Sequence, residues 1–264
     1  MVAVVPQPPL MLPQLTVGRA AESEPMRAAC LDVAARLAAV ADRWIVVAAD
    51  PGGRQSMDHP VGGTFLGYGV DVPVTLAPGG PAAAGGAGAV RDDLPLPLLI
   101  AGWLRGQAAP RVVVSAELVP PDLPTEDCRR LGTRIAARAA AEASPVALLV
   151  VGDGATTHGE KSPGYLDTRA GPFDEAVAAA LAAADPAGLL ALDPGLGLEL
   201  NAVGRAPWQV LAGVVEGQRD ARGGTRGDAR SDRAWSGELL YSAAPFGVAY
   251  HVALWRRGQR GVQR

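Results

Sequence analysis

The chain has 264 residues, 48% of them hydrophobic and 19% charged, with a net charge of −3. That length and composition support a sizeable core, and the absence of a basic stripe excludes a nucleic-acid footprint. Its two cysteines, Cys30 and Cys128, fit a reducing compartment and exclude a disulfide framework.

Residues 2–5 read as a strand that runs into Gln7 among Pro6, Pro8 and Pro9. Prolines fix the backbone there, so the Gln7 side chain is held in a set direction at the strand's C-terminal end. In an open α/β sheet that end is where ligands bind. Residues 22–41 have helical spacing of Met26, Cys30, Val33 and Leu37. RWIVVAAD (43–50) is a buried parallel strand stopped by Pro51-Gly52-Gly53. GTFLGYGVDVPVTL suggests a hairpin, and the Gly/Ala-rich run at 79–90 a flexible surface loop. Residues 96–107 are helical, and the apolar run 95–104 is about half of a membrane span.

VVVSAEL (112–118) reads as a strand, 125–143 as a helix with Thr125 as N-cap, and 146–154 as another central strand. Helices follow at 173–184, 193–202 and 207–216; the polar stretch 218–233 reads as flexible, and two strands close the chain. The fold class is α/β: a single domain over 1–264, with a central mixed or parallel sheet and helices on both faces. No secretory leader pattern opens the chain, so a cytoplasmic protein with no membrane partner is expected. The abundance of Ala, Gly, Pro and Arg, with Lys161 the sole lysine, reflects a GC-rich genome rather than a function.

No P-loop, dinucleotide fingerprint, nucleophile elbow or C-x-x-C is present. His251 lies inside a strand and reads as a core or edge histidine; His59 and His158 fall in loops. Asp153 and His158 follow the end of a central strand in a Gly-rich loop, where a histidine suits general acid or base work.

Four segments, GDGATTHGEKSPGYLDTRAGPFDEAVAAAL, ADPAGLLALDP, VGRAPWQVLAGVVEG and YSAAPFGVAYHVALW, come in an order that resembles the LigB-like class III extradiol ring-cleavage dioxygenases and their Memo-like relatives. VVPQPPLMLP resembles the family's opening strand, which ends in PHPP. The resemblance covers most of the chain outside about 52–95 and 218–234. It implies the LigB-like fold and, in the family, an Fe(II) held by two histidines and one carboxylate or cysteine. At those positions this chain has Gln7, Gly52 and Val203, the last beside Ala202. An amide, a glycine and a valine are not an Fe(II) triad, so no metal or other cofactor is expected unless a site has been relocated. What the family implies as retained is His158 with Asp153. The expected pocket combines Gln7, Asp50, Gly52, Val203 and Tyr165, with Gln7 and the 50–53 turn at the ends of neighbouring strands.

The resemblance thus implies a dioxygenase-like protein that is non-catalytic or repurposed for a small aromatic or polar ligand. An active catechol-type dioxygenase with substituted ligands and a Memo-like protein-interaction module are the alternatives. Self-association stays open.

Overall fold

The computed structural model describes residues 1–16, 18, 20–58, 61–79, 93–220 and 235–258. His59, most of the 79–90 loop and residues 221–233 lie outside the described residues.

The strands are β1 (Val2–Val5), β2 (Arg43–Ala49), β3 (Gln55–Met57), β4 (Gly62–Thr64), β5 (Pro73–Thr75), β6 (Val113–Val119), β7 (Val146–Val151), β8 (Trp235–Ala243) and β9 (Tyr250–Arg257). The helices are α1 (Ala20–Ala38), α2 (Leu96–Ala108), α3 (Thr125–Ala141), α4 (Ala170–Ala183), α5 (Pro186–Leu190), α6 (Pro194–Glu199) and α7 (Arg205–Asp220). Seven strands form one sheet in the order β3-β6-β2-β7-β1-β9-β8, and β4 with β5 forms the small hairpin. The central strands β6, β2, β7 and β1 are parallel; at one edge β3 pairs antiparallel with β6, and at the other β9 pairs antiparallel with β1 and β8 antiparallel with β9. This is a single α/β domain with a mixed sheet.

The central strands are apolar along their whole length because both faces are covered. Ala3, Val5, Trp44, Val46 and Ala48 pack with α1 and α2, through Met26, Cys30, Leu98 and Ile100. The alternate residues Val2, Val4, Ile45 and Val47 pack with α3, α4 and α7, through Leu131, Val177 and Trp208. Each such aliphatic side chain, fully buried, stabilises the fold by about 1.5–3 kcal/mol.

Three local readings are corrected. The cap position of α3 is Pro124, with no side-chain cap bond, and Thr125 is already helical. α7 is sixteen residues long and takes in residues 218–220, its packed face running on to buried Gly217, where a Cβ would lie 2.9 Å from Thr133 Cα of α3. The stretch 186–190 forms an extra short helix, capped by the Asp185 carboxylate accepting from the Ala187 N–H.

Among the described residues, no helix is long and apolar enough to cross a membrane.

Candidate functional site

The site is built where β1, β7 and β2 end. β7 lies between the other two, with Val151 opposite Val5 on one side and Ala48 on the other. Gln7 and the 50–53 turn therefore do not leave neighbouring strands, as the sequence suggested: β7, carrying Asp153, separates them.

Gln7 is held as its prolines predict. Pro6 and Pro8 are buried, and the chain turns through short 3-10 segments at Pro9–Met11 and Pro13–Leu15. The buried Arg27 of α1 clamps that segment, donating to the carbonyls of Met11 (2.7 Å) and Leu10 (3.3 Å) and to the Thr16 hydroxyl (3.2 Å). The Gln7 N–H donates to Asp153 Oδ1 at 2.7 Å, while its own Oε1 is buried without a hydrogen-bond partner among the described residues.

Asp153 keeps some solvent access but is enclosed on nearly all sides. Burial pushes its carboxyl up to about 7, against the opposing pull of the Gln7 N–H. Burial also raises the Cys30 thiol and the Tyr250 hydroxyl, and the nearby charge of Asp153 adds to both. The Asp153 carbonyl accepts from Gly204 N–H at 2.8 Å. There the two chains touch so closely that a Cβ on Gly152 would lie 2.5 Å from Gly204 Cα. This contact brings half-buried Val203 to the strand ends, beside buried Ala202.

Beyond Asp153 the chain is stitched to the β8–β9 hairpin. Gly154 N–H donates to Ala249 O (2.8 Å), Ala249 N–H to Ala155 O (2.9 Å) and His158 N–H to Gly247 O (3.2 Å). The His158 ring then meets Asp174 on α4, Nε2 to Oδ2 at 2.6 Å. His251 of β9 reaches the other oxygen of the same carboxylate, Nε2 to Oδ1 at 3.1 Å. The Ala155 N–H also donates to Asp174, at 3.2 Å to Oδ2. The second nitrogen of His251, Nδ1, lies 3.0 Å from Ser242 Oγ on β8.

In the neutral tautomer that donates Nε2–H to the Asp174 carboxylate, each histidine keeps Nδ1 as its lone-pair nitrogen; the tautomers are assigned from these partners. His251 is indeed a core residue, 1% exposed, as its strand position suggests, with the Trp208 ring edge-on at 5.8 Å. What sequence reasoning missed is that it shares a carboxylate with His158. Asp174 sits in the FDEAV segment and drew no attention as a site residue. Its contacts to His158 and His251 span 16 and 77 residues, and no spacing rule reaches across the second.

No hydrogen bond joins His158 to Gln7. Two further hydroxyls on the His158 loop, Thr157 Oγ1 and Ser162 Oγ, are buried without partners among the described residues. Tyr165 is 78% exposed, with φ at +62°. Asp50 is half-buried and Gly52 exposed, at a turn closed by the Gly53 N–H donating to Asp50 O at 3.1 Å. A cavity of about 320 Å³ lies elsewhere, at the opposite ends of β2, β6 and β7. It is lined by Arg43, Trp44, Ser115, Arg138 and others, and none of the sequence-predicted site residues borders it.

The Fe(II) triad that the resemblance implies does not fit these residues. Gln7 offers one amide oxygen, Gly52 no side chain and Val203 only methyl groups, whereas Fe(II) in such a triad needs imidazole and carboxylate donors. Among the described residues, no group of three or more His, Cys, Asp or Glu is arranged to hold a metal ion. Both cysteines are free and buried, and burial pushes the Cys128 thiol up to about 11.

No family model matches the chain, and no curated protein matches it. Among solved structures, the chain is similar to the crystal structure of uncharacterized protein JW3007 from Escherichia coli K12. The identity is 15% and the TM-score 0.49, over 85% of this chain and 91% of that one.

Proposed function

We propose that the chain is a divergent LigB-like protein of the cytoplasm that has lost the iron triad and binds a small polar or aromatic ligand at the strand ends without metal. The observation that carries this reading is the 2.6 Å bond from His158 to Asp174, taken together with Gln7, Gly52 and Val203 at the positions where the resemblance puts the metal donors. Asp174 fixes the His158 ring and leaves Nδ1 able to accept a proton or hydrogen bond from a ligand hydroxyl. Gln7 Oε1, buried and unpartnered, supports the same reading, because a ligand O–H or N–H would satisfy it.

The test joins metal analysis to ligand titration. After anaerobic Fe(II) loading and desalting, far less than one iron per chain is expected. Calorimetric titration with small phenols and hydroxy-carboxylates should find binding that needs no iron and is lost in His158→Ala. Stoichiometric iron, or binding that appears only with iron, overturns the proposal. The converse variant, Gln7→His with Gly52→His and Val203→Glu, should raise affinity for divalent metal. At Gly52 a new side chain meets only the flexible Asp50 carboxylate, at 3.0 Å.

A further inference from the structure

Ser242, His251 and Asp174 form a second constellation, on the β8–β9 hairpin. Ser242 is exposed, His251 is 1% exposed and Asp174 is 6% exposed. Asp174 Oδ1 takes the Nε2–H of His251 at 3.1 Å, which leaves Nδ1 as a lone-pair acceptor 3.0 Å from Ser242 Oγ. A hydroxyl nucleophile within reach of a base, itself oriented by a buried carboxylate, is the arrangement that activates serine. The two ring nitrogens are exchanged relative to the usual serine hydrolase, but proton abstraction needs only a positioned lone pair. Among the described residues β8 is the sheet's edge strand, so along its outer side alternate backbone N–H groups have no ladder partner there and can donate to an acyl oxygen.

We propose that Ser242 is an activated nucleophile that accepts acyl groups from small activated esters. Ser242 Oγ bonds to the acyl carbon while its proton passes to His251 Nδ1, and Asp174 balances the imidazolium. The adduct collapses as the bond to the leaving alcohol breaks, and His251 returns the proton to that alcohol's oxygen. Water, deprotonated by the same Nδ1, then bonds to the acyl carbon; the acyl–Ser242 bond breaks, His251 returns the proton to Ser242 Oγ, and the carboxylic acid leaves. The inference does not depend on what the strand-end crevice binds.

Ser236 supplies an internal reference. It is exposed on the same strand, but among the described residues its hydroxyl meets no base, only the Arg256 carbonyl at 3.5 Å. The purified protein is treated with an alkyl fluorophosphonate, whose phosphorus bonds to an activated serine oxygen as fluoride leaves, and the adduct is located by peptide mass. Labelling is expected at Ser242 and not at Ser236, to be abolished in Ser242→Ala and slowed about 10²- to 10⁴-fold in His251→Gln. Hydrolysis of an aryl acetate should fall in parallel. Equal labelling of the two serines, absence of labelling, or an unchanged rate in folded His251→Gln overturns the proposal. If His251→Gln does not fold, the Ser242 to Ser236 ratio in the unaltered protein decides alone.

Discussion

His158 and His251 donate to opposite oxygens of a single buried carboxylate, that of Asp174, from segments 93 positions apart in the chain. The loop after β7 and the C-terminal hairpin are thereby tied to the first turns of α4. Asp174 therefore organises both sites.

Asp174→Asn should expose that role. An amide has one acceptor and one donor group, so one imidazole N–H would face an N–H₂ instead of an oxygen. A buried donor left unpaired costs about 1–3 kcal/mol. Urea unfolding should show a loss of that size. Ring N–H signals of both histidines, sheltered in the unaltered protein, should survive for only one in the variant.

Asp153 predicts a pH dependence of unusual sign for a carboxylate. Its folded value, about 7, lies above its ordinary 3.8 because burial disfavours the charge. The folded state therefore binds more protons than the unfolded state between these values, and stability falls as pH rises from about 4 to about 7. The contribution is whole below that window and gone above it, on the order of a few kcal/mol at most. Asp153→Asn keeps the oxygen that accepts from Gln7 N–H and removes the charge. It should flatten this part of the profile and be more stable than the parent at pH 8. An unchanged profile from pH 4 to 7 would remove Asp153 as its source.

Arg27 is the support behind Gln7. Arg27→Met keeps much of the volume but strips donors from the Leu10 and Met11 carbonyls and the Thr16 hydroxyl. A loss of about 1–3 kcal/mol is expected. Amide exchange should quicken around 10–16 more than in β2 or β7, which the substitution does not touch. Equal quickening everywhere would mean a global effect only.

Gly247 is where the hairpin meets the His158 loop. Its φ is +75°, and a Cβ there would lie 2.0 Å from Ser162 Oγ and 3.1 Å from Ser162 Cα. Gly247→Ala should cost at least about 1 kcal/mol from the backbone alone. It should also displace the 157–164 loop, read as large amide shifts at Thr157 and His158. Small shifts confined to residues 246–248 would contradict this coupling.

The strands were legible because they are buried on both faces: β1 spans the expected residues, and β2, β6 and β7 begin and end within a few positions of theirs. α3 was legible as a helix but not at its cap, since Thr125 has the right chemistry and Pro124 occupies the position. β3 was not legible, because Gln55–Met57 is three residues long and carries no alternation. In the site, the prolines around Gln7 announced a fixed side chain. Asp174 and Ser242 gave no local signal, because their meaning arises only when α4 and the hairpin close over the loop after β7.

The place of β1 in the sheet has a consequence for folding. β1 stands between β7 and β9, with Val2 opposite Leu148 on one side and Trp255 on the other. During synthesis the first strand therefore waits for partners about 150 and 250 residues downstream. Contacts so distant in sequence make assembly slow and leave intermediates with an open edge at β1. A chain released before β9 would expose that edge and lack His251, leaving Ser242 without its partner. The hairpin that completes the hydrogen bonding around Asp174 is thus also the last piece to seal the sheet, so a stalled chain would carry neither a finished fold nor a finished site.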